Sequence, residues 1–351
     1  MLPYIYNNFG NASSNHELGI AAKKAIEKAR QQIADLINCQ KEEIIFTSGG
    51  SESNNTVIKG VAHTHKNNGN HIITSMIEHP AVLNPSKYLE GLGYKVTYLP
   101  VDEYGMVRTA DLEKNITDKT ILVTIMHSNN ETGTIQPIKE IVETCRKHNI
   151  LFHTDASQSV GKVPIDVKDL DLDFLTIAGH KLYAPKGIGA LYVKKGVTVE
   201  PLIHGAGHED GRRAGTENTA YNVALGKACE IASQILNNNN IKQLTDYFLA
   251  GLKDRFNNKI KLNGHPEKRL PNTLNVSFKG FKGHEIIDRL KNVAVSTGSA
   301  CHSGQTTISP VLKAMGVSEE VGHGAIRFSL GKYTTKEELD TVINQLEEII
   351  L

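Results

Sequence analysis

Short apolar runs alternate with amphipathic stretches through the first two-thirds of the chain. Ile44-Ile45-Phe46-Thr47, Ile72-Ile73-Thr74, Val96-Thr97-Tyr98-Leu99 and Ile121-Leu122-Val123-Thr124-Ile125 are compact, rich in β-branched residues and free of charge. That is the pattern of strands buried on both faces. Two more such runs follow, Ile150-Leu151-Phe152 and Phe174-Leu175-Thr176-Ile177. The stretches between them carry a helical period instead. Residues 51–64, 81–92 and 138–148 read as helices, the last with Ile138, Ile141, Val142 and Cys145 on one face. Strands alternating with helices predict an α/β architecture, a mostly parallel sheet covered on both sides.

The pattern changes past a long helix expected over residues 219–236, which runs into Asn237-Asn238-Asn239-Asn240. That polar run marks a boundary between a large domain, 1–238, and a smaller α+β domain, 239–351. In the smaller domain Ile241, Leu244, Phe248, Leu252 and Phe256 share a helix face. Residues 273–278, 294–296 and 325–329 are strand candidates. The last helix opens on Thr335-Lys336-Glu337-Glu338, a capping box, and continues with Leu339, Val342, Ile343, Leu346 and Ile350.

Composition narrows the classes. A chain of 351 residues can give each domain its own core. Its 39 Lys+Arg against 38 Asp+Glu leave no basic field for nucleic acid and no acidic tail. No apolar run approaches the ~18 residues of a membrane span. The start, Met1-Leu2-Pro3-Tyr4-Ile5-Tyr6, lacks the charged front and apolar stretch of a signal peptide. Cys39, Cys145, Cys229 and Cys301 are scattered without C-x-x-C spacing. That argues against a disulfide framework and a thiolate zinc site, and for a reducing, cytoplasmic setting.

In an open parallel sheet, ligands bind beyond the carboxyl ends of the strands, and the chain's candidate chemistry collects there. After 44–47 come Ser48-Gly49-Gly50-Ser51-Glu52. The glycines allow close backbone approach, and the following helix offers free N–H groups and its positive dipole end. This makes an anion site, with Ser51 as an added donor. Glu78-His79-Pro80 follows the next strand, and His79 is placed to stack on a flat ring and move protons. Ser128-Asn129-Asn130-Glu131 follows 121–125, with Asn130 able to bond a carboxylate or a phenolic oxygen. Thr154-Asp155-Ala156-Ser157-Gln158 and Gly179-His180-Lys181 end the two later strands. An acid ending one strand and a lysine just past the next suit pyridoxal 5'-phosphate. The amine forms a Schiff base with the aldehyde, and the carboxylate keeps the pyridine nitrogen protonated so that the ring is an electron sink. Singly, each segment has a plainer reading as a turn or a solvated surface group; their convergence on one sheet edge outweighs it.

The smaller domain adds two elements. Ser296-Thr297-Gly298-Ser299-Ala300-Cys301-His302-Ser303-Gly304 is a loop of small residues around one cysteine, the exposure a reactive thiol needs. Ile326-Arg327-Phe328 sets an arginine in an apolar strand, for a bidentate clamp on a substrate carboxylate or for a buried ion pair. Gly211-Arg212-Arg213-Ala214-Gly215-Thr216 looks like another anion-binding turn before a helix. His204-Gly205-Ala206-Gly207-His208 lacks a third ligand and a helix to present it, so no metal site is expected.

With these motifs in this order, from Phe9-Gly10-Asn11 almost to the C-terminus, the chain resembles the cysteine desulfurases of the NifS/IscS type, in the class-V aminotransferase group of pyridoxal phosphate enzymes. The resemblance implies fold type I, with Lys181 holding the cofactor, Asp155 on the pyridine nitrogen, Gln158 on the phenolic oxygen and His79 stacked on the ring. Gly50, Ser51, Glu52 and His180 fall at the phosphate, and Thr216 would reach the phosphate of a partner subunit, so a homodimer is expected. Asn130 serves cofactor and substrate, and Arg327 takes the substrate carboxylate. Cys301 sits where the family forms its persulfide. The implied reaction turns L-cysteine into L-alanine and passes sulfur from Cys301 to an acceptor protein, in iron–sulfur cluster assembly or thiolation.

There are departures. The family has a longer N-terminal segment than this chain. Ala12 stands for the Pro of FGNPSS, and Ala178 for a frequent Ser before Gly179-His180-Lys181. A selenocysteine lyase shares fold and cofactor, and its cysteine motif often continues with His-Ser as here. A non-catalytic relative acting as a binding partner is opposed by the intact Lys181, Asp155, His79, Cys301 and Arg327. An ordinary aminotransferase has no use for Cys301.

Overall fold

The apolar runs of the first two-thirds become the strands of one sheet. The structure, a computed structural model, describes residues 1–236, 240–298 and 307–351, and the chain divides into two units. The larger takes in residues 1–99, 109–127 and 137–236. In chain order it holds α1 (Leu2–Tyr6), α2 (Glu17–Ile37), β1 (Ile44–Thr47), α3 (Gly50–Thr64), β2 (His71–Ser75), α4 (Pro80–Glu90), β3 (Lys95–Leu99), α5 (Thr109–Asn115), β4 (Thr120–Thr124), α6 (Ile138–Lys147), β5 (Leu151–Asp155), β6 (Phe174–Ala178), β7 (Gly189–Val193) and α7 (Thr219–Ile235).

The strand order is β1-β7-β6-β5-β4-β2-β3. Parallel pairing joins β3, β2, β4, β5 and β6, while β7 runs against both β6 and β1. β1 therefore points the same way as β6, and the carboxyl ends of β1, β2, β4, β5 and β6 open on one edge. Every residue of β1, β2, β4, β6 and β7 is buried. Helices on both faces leave no solvent side, which is why these strands read as unbroken apolar runs.

Two elements escape that reading. The buried face of α2 is built largely from Ala22, Ala29 and Ala34 beside Ile26, Ile33 and Ile37, a weak hydrophobic signal that lets α7 come close. A Cβ on Gly226 of α7 would collide with Ala29. β7 begins at Gly189, which packs against Gly49 without room for a side chain. α2 also carries a buried ion pair. Arg30 Nη1 and Nη2 donate to Glu209 at 2.6 and 3.0 Å, and Phe46 N–H donates to the same carboxylate at 2.9 Å. Arg30 and Glu209 are only 8% and 7% exposed.

The second unit comprises residues 100–108, 128–136 and 237–351. It contains α8 (Asn240–Phe256), β8 (Ile260–Asn263), β9 (Thr273–Phe278), α9 (Gly283–Arg289), α10 (Pro310–Ala314), α11 (Glu319–Gly322), β10 (Ala325–Ser329) and α12 (Lys336–Ile350). The antiparallel sheet runs β10-β9-β8. Its core is aromatic: Phe248 meets Phe328, and Phe256 meets Phe278, edge to face at 5.1 and 5.6 Å. Thr335 and Glu338 form the expected capping box of α12. The strand expected at 294–296 does not form. Ser296 makes a single bridge with Arg327; two residues later Gly298 lies against the Glu131 side chain too tightly for any Cβ.

Replacing Arg30 with Ala leaves Glu209 buried, charged and unpaired. A loss of roughly 3–5 kcal/mol is expected, read as a lower denaturant midpoint; a change within 1 kcal/mol, on the order of an exposed pair's worth, would show that the pair is solvent-relaxed.

Candidate active site

Each candidate side chain is placed by the strand or turn it ends. In the larger unit β5 delivers Asp155, which is 7% exposed. Its Oδ2 accepts from Asn54 Nδ2 at 2.7 Å and its Oδ1 from Ser157 N–H at 3.0 Å. Both donors are neutral, and no ion pair joins Asp155 among the described residues. β1 runs into Gly49, at φ +149°, which caps α3. A Cβ on Gly50 would lie 3.0 Å from Ser157 Oγ and 3.5 Å from Ala178, so the start of α3 rests on the ends of β5 and β6. Ser51 is exposed in the first turn of α3. Just past β6, the tight turn Gly179–Leu182 holds His180, exposed, and Lys181, half-buried. Burial and then the charges of Lys181, Lys186 and Lys162 lower the His180 pKa. Gln158 follows β5 by three residues and accepts from Lys162 Nζ through both its carbonyl and Oε1.

His79 caps α4. Its Nδ1 accepts from Ala81 N–H at 3.1 Å, which leaves the proton of a neutral ring on Nε2. Glu52 differs from a simple anion-site residue. Its carboxylate takes Ser48 N–H at 2.8 Å and Arg213 at 2.8 and 3.1 Å. Burial opposes its charge, but Arg213 and Ser48 outweigh that and hold its pKa below the ordinary value. Arg213 is thereby engaged, and Thr216, three residues on, is exposed.

The second unit brings Asn130 and Arg327 together. Residues 128–136 make a tight turn, with Asn129 Oδ1 accepting from the N–H groups of Glu131 and Thr132 at 2.9 Å. Asn275 of β9 donates to the Glu131 carbonyl at 3.3 Å. Arg327 of β10 donates through Nη1 to the Asn130 carbonyl at 2.8 Å, and its Nε is buried without a partner. No carboxylate pairs with Arg327 among the described residues, so the buried ion pair is not what it forms there. Cys301 and its neighbours from 299 to 306 lie outside the described residues.

Sequence reasoning passed over four groups. Asn54 shares the segment of Gly50 and Ser51, and only its burial on α3 marks it. Glu78, next to His79, is 4% exposed. It accepts from Ser75 Oγ at 2.6 Å and Met126 N–H at 2.9 Å. Burial above all, with the Asp155 charge added, pushes it up to about 8, so it stays a neutral acid beside Asp155. His127 bonds Ser159 Oγ at 2.9 Å. His153 sits between Thr124 and Thr176 hydroxyls at 2.7 and 3.0 Å. Burial pushes each histidine down to about 4.

These residues fit pyridoxal phosphate. A buried carboxylate without a cation among the described residues suits a protonated pyridine nitrogen, the N-terminus of α3 behind Gly49 suits a phosphate, and Lys181 suits the aldehyde. Fold and site together define a pyridoxal phosphate enzyme. The Aminotransferase class-V family model matches residues 1–342. The chain is 49% identical over 354 residues to cysteine desulfurase IscS of Methanosarcina thermophila, covering 100% of this chain and 87% of that protein. It is 39% identical to a solved NifS-like protein, with a TM-score of 0.93, covering 99% of this chain and 93% of that one. It is equally 39% identical to a structure described as SspA in complex with cysteine, with a TM-score of 0.84 over 95% of this chain and 94% of that one. The chain belongs to the class-V aminotransferases, among the IscS/NifS cysteine desulfurases.

The buried histidines set an acid limit. Below the ordinary histidine value of 6.5 the unfolded chain takes up protons that His127, at about 4, refuses when folded. Its stabilising contribution is complete above 6.5 and is lost as pH falls toward 4. The thermal midpoint is expected to fall across that window, and less steeply in His127→Asn; equal slopes would place the acid sensitivity elsewhere.

Proposed function

We propose that the protein converts L-cysteine to L-alanine and holds the sulfur as a persulfide on Cys301 for transfer to a sulfur-acceptor protein of iron–sulfur cluster assembly or thiolation. The observation that carries this reading is Asp155, a buried carboxylate held, among the described residues, by neutral donors, one strand from the Lys181 turn. Pyridoxal phosphate, when bound, supplies an electrophilic carbon and a ring that stores the electron pair released at the substrate Cα. Lys181 holds the cofactor and moves the Cα proton. Asp155 keeps the pyridine nitrogen protonated, Gln158 donates to the phenolic oxygen, and His79 covers the ring. Ser51, His180 and the first N–H groups of α3, at Gly50, Ser51 and Glu52, take the phosphate. Asn130 and Arg327 take the substrate carboxylate.

The sulfur step needs no outside oxidant or reductant. The Cys301 thiolate forms the S–S bond, and the C–S bond of the substrate breaks with its electron pair left on carbon. That carbon takes up a proton, so cysteine and thiol become alanine and persulfide. The other three cysteines are poor candidates. Burial pushes Cys39, Cys145 and Cys229 up to about 12, so they are protonated at neutral pH and weak nucleophiles. The exposure of Thr216 supports a homodimer in which it serves the partner's phosphate. The cysteine pattern supports a cytoplasmic location, and no described helix is long and apolar enough to cross a membrane.

The test is to load the purified protein with pyridoxal phosphate, add cysteine, and follow alanine and the mass of each cysteine-containing peptide. Alanine together with one added sulfur on Cys301 is expected; sulfur on Cys39, Cys145 or Cys229, or activity on selenocysteine alone, would overturn the assignment. Lys181→Ala should lose turnover and borohydride trapping of the cofactor, whereas Cys301→Ala should keep the trapped cofactor and form no persulfide.

Arg327→Ala removes a charged hydrogen-bond donor worth roughly 1.5–3 kcal/mol. The Michaelis constant for cysteine should rise on the order of ten- to hundredfold, with the thermal midpoint little changed. The opposite pattern would assign Arg327 to stability.

A further inference from the structure

The turn after Asp155 carries a lysine that the reaction leaves unassigned. The N–H groups of Ser159 and Val160 donate to the Ala156 carbonyl at 2.9 and 3.0 Å, and those of Lys162 and Val163 to the Ser159 carbonyl at 2.9 and 3.0 Å. Gly161 lies at φ +74°, and a Cβ there would overlap Leu182 Cδ2. Only glycine lets this turn settle onto Gly179–Leu182, the turn that carries Lys181. From that seat Lys162 Nζ donates to the Gln158 carbonyl at 2.8 Å and to Gln158 Oε1 at 3.3 Å. Lys162 has no ion pair among the described residues. Burial, and after it the charge of Lys181, push Lys162 down to about 8. An amine held half-buried without a carboxylate is costly, and the Gln158 contact is what it makes there.

An ammonium donates and never accepts. It therefore selects one of the two orientations of the Gln158 amide, with Oε1 toward Lys162 and the two Nε2 protons left for another acceptor. We propose that Lys162 is a positioning residue that locks the Gln158 amide so that Nε2–H is presented to the phenolic oxygen of the cofactor. The inference rests on the reading of Gln158 given above. Without Lys162 the amide can turn its oxygen toward the phenolic oxygen, and the contact changes from a hydrogen bond to a repulsion.

The test is a double-variant cycle read by titrating cofactor-free protein with pyridoxal phosphate and recording the visible absorption band. K162M is expected to weaken cofactor affinity about tenfold, the worth of one charge-assisted hydrogen bond, and to shift the band as Q158L does. The double variant should be no worse than Q158L, and K162R, which keeps the donor, should restore the wild-type band. Should K162M fail to fold, K162Q serves, since it has no charge to impose the orientation. A wild-type band and affinity in K162M, a lowered thermal midpoint with an unchanged band, or effects that multiply in the double variant would each overturn the inference. If Q158L shifts the band and K162M does not, the inference fails and the enzyme assignment stands. A wild-type protein that binds no pyridoxal phosphate defeats both.

Discussion

A buried carboxylate with no cation paired to it among the described residues is the constraint around which the larger unit is organised. Asp155 is taken out of water at the end of β5 and held by one amide and one backbone N–H. A carboxylate taken out of water is held by hydrogen bonds or by a positive partner. In the reading proposed above, a protonated pyridine ring is the partner such a carboxylate accepts. The surroundings keep the charge single. Burial and the Asp155 charge leave Glu78 neutral, and burial leaves His127 and His153 neutral. Glu78, His127 and His153 are thus hydrogen-bonded and uncharged.

The direction of the strands does the rest of the positioning. Because β7 is the strand that runs against its neighbours, β1, β2, β4, β5 and β6 all end on one edge, where the turns after β1, β5 and β6 carry candidate groups of the larger unit. Gly50 and Ser51 follow β1, Gln158 follows β5, and His180 and Lys181 follow β6. The buried pair of Arg30 and Glu209, with Arg213 on Glu52, ties the 208–216 segment to α2 and α3. Thr216 is thus presented from an anchored turn.

The second unit borrows a turn from the middle of the chain. Residues 128–136 follow β4 in sequence, yet they bond β9 and β10 through Asn275 and Arg327. Asn130 and Arg327 are therefore neighbours in one unit. The Glu131 carboxyl is buried in the same place. Burial raises its pKa against the pull of Ser309 and Arg327.

The sequence by itself determined the elements and the kinds of chemistry at their ends. Buried parallel strands must be apolar throughout, helices must repeat their apolar face, and a turn after such a strand must lie at the ligand-binding edge; all three are local rules. They sufficed for β1, β2, β5, β6, β9 and α12, and for placing Asp155 at the end of β5 and Lys181 just past β6. They failed for α2, whose alanines carry little hydrophobic signal, and for 294–296, where pairing is limited to one bridge between Ser296 and Arg327. Only the tertiary structure decided which side chains meet. Asn54 reaches Asp155 across 101 residues, Arg30 reaches Glu209 across 179, and Arg327 reaches the Asn130 carbonyl across 197. A hydrogen bond requires its atoms within about 3 Å and in line, and that distance is set by strand order and helix packing, which no local pattern encodes.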